Sequence, residues 1–246
     1  MSRLLMQRRH CIVKRGEAKP LLIHEWSAAS YDPTTLTIYD TGARRSYDSG
    51  NFDFVANSST NFEYHDDYIL FDGTAESVFV MASSAIEALD LGRSIIVEVD
   101  WMTEDTITVG WPAHLIDFGA YAVVANDACA FGVQMHSSYI FFNTKFNSNS
   151  WVSTNGVINY SYTLPVNTRM CVGFKWLNDG ESISIDYILN DEVLTEYNVV
   201  NDVDLSWDRF DSANPIYIGR SCTAGYGYNQ PWRFYSMRIY TLDNLD

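Results

Sequence analysis

Apolar and polar residues alternate with a period of two along most of the chain. In residues 95–101 the odd positions are Ile, Val, Val and Trp, whereas two of the even positions are acids that we expect to face solvent. Residues 170–176 and 183–189 repeat the alternation. Because a period of two puts every second side chain on the same side of a β-strand, each segment predicts a strand with one apolar face. Further strands are predicted near 68–71, 76–82, 113–118, 129–135, 138–143, 157–163, 193–199, 215–219 and 232–241.

A helical pattern occurs only in one short segment, residues 84–91, which is followed by Gly92. The other segments are separated by polar turns such as residues 178–180. A parallel α/β fold needs crossover helices between its strands, and these are missing. The pattern therefore predicts an all-β fold, an antiparallel two-sheet β-sandwich.

The predicted strands are unevenly distributed, which suggests three regions. Residues 1–25 are interpreted as a basic N-terminal arm. Residues 26–63 are polar and are predicted to be an extended connection or added edge strands. The packed jelly-roll sandwich is predicted to begin near Tyr64 and to occupy residues 64–246.

Charge is divided between the arm and the body. The first 20 residues contain six basic residues and one acid, which gives +5, and the other 226 contain 10 basic and 30 acidic residues, which gives −20. An acidic body repels nucleic acid and anionic membranes, so neither is expected as a partner. Basic arms often dock on larger assemblies, and the alternative is a solvated end. The candidate docking residues are Arg3, Arg8, Arg9, Lys14 and Arg15.

Compartment and redox state follow from weaker signals. The four cysteines are far apart and form no Cys-x-x-Cys motif, so neither a zinc site nor a redox motif is expected. The N-terminus lacks the apolar stretch of a signal peptide. We therefore expect free thiols and a location in a virion or in the cytoplasm of the producing cell.

The packed region resembles one structural superfamily. Residues 67–74 are an apolar strand that leads into an Asp-Gly turn, residues 93–101 form a long second strand, and residues 234–240 read Phe-Tyr-Ser-Met-Arg-Ile-Tyr. These segments resemble the opening and closing strands of the concanavalin A-like lectin/glucanase superfamily, the laminin G-like jelly rolls. The basic arm and the Tyr/Asn-rich composition are similar in style to bacteriophage virion proteins.

This resemblance implies a non-enzymatic binding or structural module. In the preferred interpretation it is a phage tail, fibre or head-decoration protein, whose arm contacts other virion proteins and whose sandwich faces outward for attachment. One alternative is a free carbohydrate-binding, lectin-like protein that recognises a cell-surface glycan. The other is a glycoside hydrolase with an atypical acid pair. A monomer and a homo-oligomer are both compatible with the sequence.

Catalytic motifs are incomplete. Glycoside hydrolases of this superfamily use a strand motif Glu-x-Asp-x-Glu, in which two carboxylates flank the sugar bond at about 5 Å. Glu98 and Asp100 match its first half, but Met102 stands where the second glutamate belongs and the next acid is Glu104. No Gly-x-Ser-x-Gly motif or phosphate-binding glycine loop is present. We therefore expect no enzymatic activity and assign no catalytic residue.

Metal and cofactor sites are not predicted. Relatives in the superfamily often bind calcium, which needs six to eight oxygen ligands, so calcium binding is left open without an assigned site. Surface acids of an acidic protein account equally well for the candidates, which are Asp66, Asp67, Asp72, Asp179, Asp202 and Asp204.

The most suggestive binding segment is residues 221–232. Glycines keep its backbone open, and its aromatic and amide side chains are the types that stack on sugar rings and hydrogen-bond their hydroxyls. In the alternative interpretation, Trp232 starts the last strand and packs inward. The predicted glycan-binding residues are Tyr226, Tyr228, Asn229 and Trp232.

Overall fold

A computed structural model gives the fold of the chain. It describes residues 20–42, 52–57, 61–74, 77–81, 94–105, 113–118, 130–135, 139–145, 156–159, 165–178, 182–190, 192–200, 216–219 and 231–242. All regular elements within these ranges are β-strands, which confirms the predicted all-β class. The predicted helix at 84–91 lies outside the described residues.

Sixteen strands lie within the described ranges. The first eight are β1 (Leu21–Asp32), β2 (Thr37–Asp40), β3 (Phe54–Ala56), β4 (Phe62–Tyr64), β5 (Ile69–Phe71), β6 (Phe79–Met81), β7 (Ile95–Thr103) and β8 (Ala113–Phe118). The others are β9 (Ala130–Met135), β10 (Tyr139–Lys145), β11 (Gly156–Asn159), β12 (Met170–Asn178), β13 (Ser182–Leu189), β14 (Glu192–Val200), β15 (Ile216–Ile218) and β16 (Trp232–Thr241).

The strands are hydrogen-bonded into two antiparallel layers that share β1. The front layer has the order β1-β16-β7-β12-β13-β14, and β5, with β4 beside it, extends it by pairing with the first residues of β16. The back layer has the order β2-β3-β6-β15-β8-β9-β10-β11. β1 belongs to both layers, since its first half pairs with β16 and its last residues pair with β2 across an irregularity in register. The two layers therefore form a sandwich.

Aromatic side chains fill the space between the layers. Phe71 of the front layer stacks on Trp232 with ring centroids 4.2 Å apart and meets Phe79 of the back layer at 5.7 Å. Trp26 of β1 contacts Phe54 of β3 edge-on at 5.2 Å. The alternating residues predicted to point inward in β7 and β12 are buried in the same core, as are Ile185 and Tyr187 of β13, and Leu189 packs against it partly buried. Burial of this apolar surface is the main term that stabilises the sandwich.

The structure corrects the predicted start of the packed region. Leu21–Asp32 is a core strand in which Ile23 and Trp26 are fully buried, so residues 21–25 are not part of an arm. Strands β2 and β3 lie inside the back layer, between β1 and β6. Tyr64 ends the short strand β4 and does not begin the packed structure. Residues 1–19, including the predicted docking residues, lie outside the described part of the chain.

A buried polar network explains why β1 did not stand out in the sequence. Nδ1 of His24 lies 2.7 Å from Oδ2 of Asp40, and the imidazole stacks on Trp26. Oδ1 of Asp40 accepts hydrogen bonds from the backbone N–H groups of Glu25 and Gly42, both at 2.9 Å. Polar residues that satisfy one another inside the core interrupt the apolar alternation from which strands are predicted.

The acids of β7 also differ from the prediction. Glu98 and Asp100 do face away from the apolar core, but Glu98 is only 4% exposed. In register it lies between Gly173 of β12 and Arg238 of β16. The expectation that both acids face open solvent is therefore wrong for Glu98. It lies in the shielded middle of the outer face of the front layer.

Candidate functional site

Four chain segments converge at one end of the front layer. The backbone N–H of Glu104, just after β7, donates to the carbonyl of Pro231, just before β16. The N–H of Asn167 donates to the carbonyl of Thr103 at 2.8 Å, which fixes the segment that enters β12. The turn between β4 and β5 is closed by the N–H of His65, which donates to the carbonyl of Tyr68 at 2.9 Å. Side chains from all four segments share this end of the outer face.

Strand β16 supplies the centre of the site. Trp232 and Phe234 point into the core, so Arg233 and Tyr235 point to the outer face. The register between β16 and β7 shifts between Phe234 and Ser236. Such an irregularity re-aims side chains locally, and here it lets Tyr235 and Ser236 both occupy the outer side.

Two arginines stack on two tyrosines at this position. The guanidinium of Arg169 lies 4.1 Å from the ring centroid of Tyr235, and that of Arg233 lies 4.3 Å from the ring centroid of Tyr68. The two tyrosine rings are 5.9 Å apart. We call Tyr68, Arg169, Arg233 and Tyr235 the arginine–tyrosine cluster. Cation–π contacts of this kind hold planar guanidinium groups in fixed orientations.

Each arginine of the cluster is also paired with a carboxylate. Arg169 donates to Oδ2 of Asp100 at 2.9 Å, and Arg233 forms a short ion pair with Glu104. Burial alone would lower the pKa of Arg233, but the hydrogen bond and charge of Glu104 outweigh it and raise that pKa above its ordinary value. The cluster therefore presents N–H donors beside carboxylate acceptors at a partly exposed surface.

The ion pairs continue across the sheet. Nε of Arg238 donates to Oε1 of Glu25 at 3.0 Å, and its NH1 lies 3.6 Å from Oδ2 of Asp100. Burial would lower the pKa of Arg238, whereas Glu25, Tyr240 and Asp100 raise it, with a net increase. Asp100 thus contacts Arg169 and Arg238 together. This row of alternating charges links β1, β16 and β7 to the segment before β12.

The exposed rim of the cluster is aromatic and acidic. The His65 ring stacks on Tyr68 at 4.2 Å, and its side chain is 41% exposed. Asp66 and Asp67 are exposed in the same turn. The side chain of Arg169 is 34% exposed. A ligand approaching this end of the sheet would therefore meet hydrogen-bonding groups and ring surfaces together.

The predicted glycan-binding residues are only partly described. Tyr226, Tyr228 and Asn229 lie outside the described residues. Trp232 is 1% exposed and stacks on Phe71 in the core. Its ring is therefore not available to a ligand, and the alternative interpretation, in which Trp232 packs inward, is correct.

The arginine–tyrosine cluster was not predicted from the sequence, although the alternation in residues 232–241 indicates the orientation of two of its members. The predicted strand at 232–241, with Trp232 and Phe234 pointing inward, places Arg233 and Tyr235 outward by alternation. Tyr68 and Arg169 come from distant segments, and only the pairing of β5 with β16 and of β12 with β7 brings them close.

The carboxylates of β7 do not form a hydrolytic pair. Glu98 and Glu104 are six residues apart along nearly extended chain, which corresponds to about 20 Å at about 3.3 Å per residue. Retaining glycosidases need the two carboxyl groups about 5 Å apart and inverting ones about 6.5–9.5 Å. In addition, Glu104 is held by Arg233. This acid pair therefore has the geometry of neither mechanism.

The calcium candidates show no ligand set. Asp66 and Asp67 are exposed, and Asp179, Asp202 and Asp204 lie outside the described residues. Oδ1 of Asp72 accepts hydrogen bonds from the N–H and hydroxyl of Thr74 and from the hydroxyl of Ser77, and these bonds outweigh burial and lower the pKa of Asp72. Within the described ranges, no three His, Cys, Asp or Glu side chains are grouped as they would be around a metal ion.

A search against protein-family models and a search of curated proteins each give no match to this chain. Solved structures do match. The binding domain of Paraclostridial mosquitocidal protein 1 is 12% identical, with a TM-score of 0.56, and the alignment covers 89% of this chain and 48% of that one. A botulinum neurotoxin type C structure is 14% identical, with a TM-score of 0.51 and coverages of 92% and 49%. A mutant Trypanosoma rangeli sialidase with trans-sialidase activity is 12% identical, with a TM-score of 0.52 and coverages of 92% and 31%.

These similarities concern architecture. At such low identity they support a β-sandwich fold and no more, in agreement with the strand order observed here. The chain spans less than half the length of each of these structures. In the part of the chain that the structure describes, no helix has the length and apolar character needed to cross a lipid bilayer.

Proposed function

We propose that this chain is a non-enzymatic carbohydrate-binding module. The observation that carries the proposal is the arginine–tyrosine cluster, where stacked guanidiniums, carboxylates and the partly exposed rings of Tyr68 and His65 share one end of the sandwich. Sugar hydroxyls both donate and accept hydrogen bonds, so paired N–H and carboxylate groups match them, while the C–H faces of a sugar can lie against exposed rings. The ion pairs and stacking hold these groups in place before a ligand arrives, which reduces the entropy lost on binding.

The position of the cluster agrees with the predicted binding segment. Residues 221–232 lead directly into Arg233, and the carbonyl of Pro231 is held by the N–H of Glu104, a residue that contacts the cluster. The proposal therefore places the ligand at the cluster, beside the start of β16. Trp232, which was predicted to bind the glycan, is buried and therefore supports the site from inside the core without contacting a ligand.

The structural comparisons support a recognition role without determining it. One aligned structure is a toxin binding domain, and the report on the type C neurotoxin states that its cell entry depends on interaction with two ganglioside molecules. Those properties belong to those proteins. For this chain we propose the same general task, attachment to a glycan-bearing surface.

The direct test is a glycan array probed with the intact protein, with and without calcium, followed by titration of the best ligand. Arg169→Ala removes a partly exposed guanidinium, and we expect it to weaken binding at least about tenfold, because a hydrogen bond to a charged group contributes about 1.5–3 kcal/mol. Glu104→Gln should weaken binding as well, since it releases Arg233. Glu192→Gln, on the exposed edge strand β14, is the matched control and should bind like the unmodified protein.

Two results would contradict this proposal. The first is a blank array obtained with protein whose circular dichroism shows a folded β-protein. The second is binding that is unchanged in both cluster variants, since the site would then lie elsewhere. Release of reducing ends from a polysaccharide, lost in Glu98→Gln, would instead support the glycoside hydrolase alternative.

The wider setting is a second part of the proposal. We propose that the module is an outward-facing attachment component of a virion and that its basic N-terminal segment contacts other virion proteins. The segregation of charge, +5 in the first 20 residues against −20 in the rest, supports an arm that docks on an acidic surface.

The docking test removes residues 1–19 and leaves β1 intact. The truncated protein should fold and bind glycan normally but should fail to incorporate into the assembly. Reversing Arg3, Arg8 and Arg9 to Glu should have the same effect, whereas replacing them with Lys should not. Normal incorporation of the charge-reversed protein would refute a role of the arm.

A further inference from the structure

We infer that the glycan bound by the arginine–tyrosine cluster is uncharged. This inference rests on the proposed function and adds the class of ligand. The evidence is the distribution of charge around the cluster, which differs from what a site for sialylated or sulfated sugars requires.

The three arginines that the structure describes on this face are already paired. Arg169 is bonded to Asp100, Arg233 to Glu104 and Arg238 to Glu25, and Asp100 also lies near Arg238. An anionic sugar would have to compete with these carboxylates for the same guanidinium edges. A neutral sugar has no such conflict, because its hydroxyls can bond the guanidinium and the carboxylate together.

The rim of the cluster adds further negative charge. Asp66 and Asp67 are exposed beside Tyr68, and Glu63 lies with its carboxylate 3.8 Å from the His65 ring. With histidine counted as neutral, the three arginines Arg169, Arg233 and Arg238 stand against six carboxylates in the ion pairs and at the rim, Glu25, Glu63, Asp66, Asp67, Asp100 and Glu104, so these groups together carry −3. The whole chain carries −15, so long-range attraction also disfavours anions.

The size of the effect follows from Coulomb's law. Two like charges about 4 Å apart in water repel by an amount equivalent to about fivefold in affinity, and more where water is partly excluded. A singly charged glycan should therefore bind at least about fivefold more weakly than its neutral counterpart. Because the Debye length falls from about 8 Å at physiological ionic strength to about 3 Å at 1 M salt, the difference should shrink as salt is added.

The experiment compares glycans that share one backbone and differ in a single sialic acid or sulfate. Each pair is titrated against the intact protein at 0.15 M and 1 M sodium chloride. The double variant Asp66→Asn, Asp67→Asn removes two negative charges and keeps a polar side chain at each position, so it should reduce the ratio of neutral to charged affinity. Glu192→Gln removes a charge of the same type on β14, two strands beyond β12, and should change neither affinity.

The outcomes separate this inference from the proposed function. If the neutral glycan binds and the charged one binds more weakly, with the difference reduced by salt and by the double variant, both stand. If the charged glycan binds equally well or better, the site is a glycan site but the inference is wrong. If neither binds, the proposed function fails and the inference with it.

Discussion

His114 makes the stability of the sandwich depend on pH. It lies on β8 of the back layer and is fully buried, with its Nδ1 3.8 Å from Oδ2 of the equally buried Asp117, and it faces Gln134 across the strand pair β8–β9. Burial lowers the pKa of His114 from 6.5 to about 3. The folded state therefore holds this imidazole neutral, whereas the unfolded chain protonates it below about pH 6.5.

The sign of the effect follows from proton linkage. Between about pH 6.5 and pH 3 the unfolded state binds more protons at this site than the folded state, so acid favours unfolding. The contribution of His114 is fully present above pH 6.5 and is lost progressively as the pH falls towards 3. At pH 5 the difference of about 1.5 pH units from the unfolded pKa corresponds to about 2 kcal/mol of lost stability relative to pH 8.

Urea unfolding followed by tryptophan fluorescence at pH 8 and pH 5 measures this difference. With an m-value of about 3 kcal/mol/M the midpoint should fall by about 0.7 M from this residue alone. His114→Gln keeps a polar side chain but cannot titrate, so its midpoint should change less between the two pH values, whatever its absolute stability. The depressed pKa values of Asp32 and Asp72 act below about pH 4 and lie outside this window.

A specific result would refute the reasoning. If the unmodified protein and His114→Gln lose the same stability between pH 8 and pH 5, the imidazole does not titrate as a buried neutral group. The explanation would then be that Asp117, at 3.8 Å, stabilises the imidazolium enough to offset burial.

Two further substitutions test the packing that supports the site. Trp232→Ala removes a fully buried ring stacked on Phe71 and should lower the free energy of unfolding by about 3–5 kcal/mol, measured by urea or thermal denaturation. A variant that keeps its stability and loses only glycan binding would contradict the assignment of Trp232 to the core. Gly173→Ala would place a Cβ in steric clash with the backbone carbonyl oxygen of Val97, so the free energy of unfolding should fall by about 3 kcal/mol or more. An unchanged melting temperature would show that β12 and β7 are not packed this closely.

Much of the sandwich could be predicted from alternation alone. The predicted strand at 113–118 matches Ala113–Phe118, that at 129–135 differs by one residue from Ala130–Met135, and that at 232–241 matches Trp232–Thr241. Most core-facing positions of these strands are apolar, so local pattern and tertiary burial largely agree, although His114 and Asp117 interrupt the pattern in β8. Strands were predicted correctly where the local alternation of apolar residues coincides with burial in the folded protein.

Prediction failed where burial is achieved by polar groups. In β1 the buried side chains include His24, which is paired with Asp40, and Trp26 donates through its indole N–H to the carbonyl of Phe52 at 2.7 Å. The His24–Asp40 pair forms only in the folded arrangement, and each of these two residues in isolation resembles a surface residue. The packed region therefore seemed to begin near Tyr64, although strands β1 to β3 precede that residue.

The binding surface was harder to predict than the fold because its members share no sequence neighbourhood. Alternation within β16 is enough to orient Arg233 and Tyr235 outward, but their partners Tyr68 and Arg169 come from β5 and β12, whose positions depend on strand order. The order cannot be read from a single sequence, since many arrangements of the same strands bury the same faces. Once the neighbours of β16 and β7 are known, the register accounts for both stacked pairs, Arg233 on Tyr68 and Arg169 on Tyr235. It also shows that Asp100, which matched part of a catalytic motif, is bonded to Arg169. The sequence alone thus orients the side chains on the outer face of β16, while the strand order determines which side chains of other segments lie beside them.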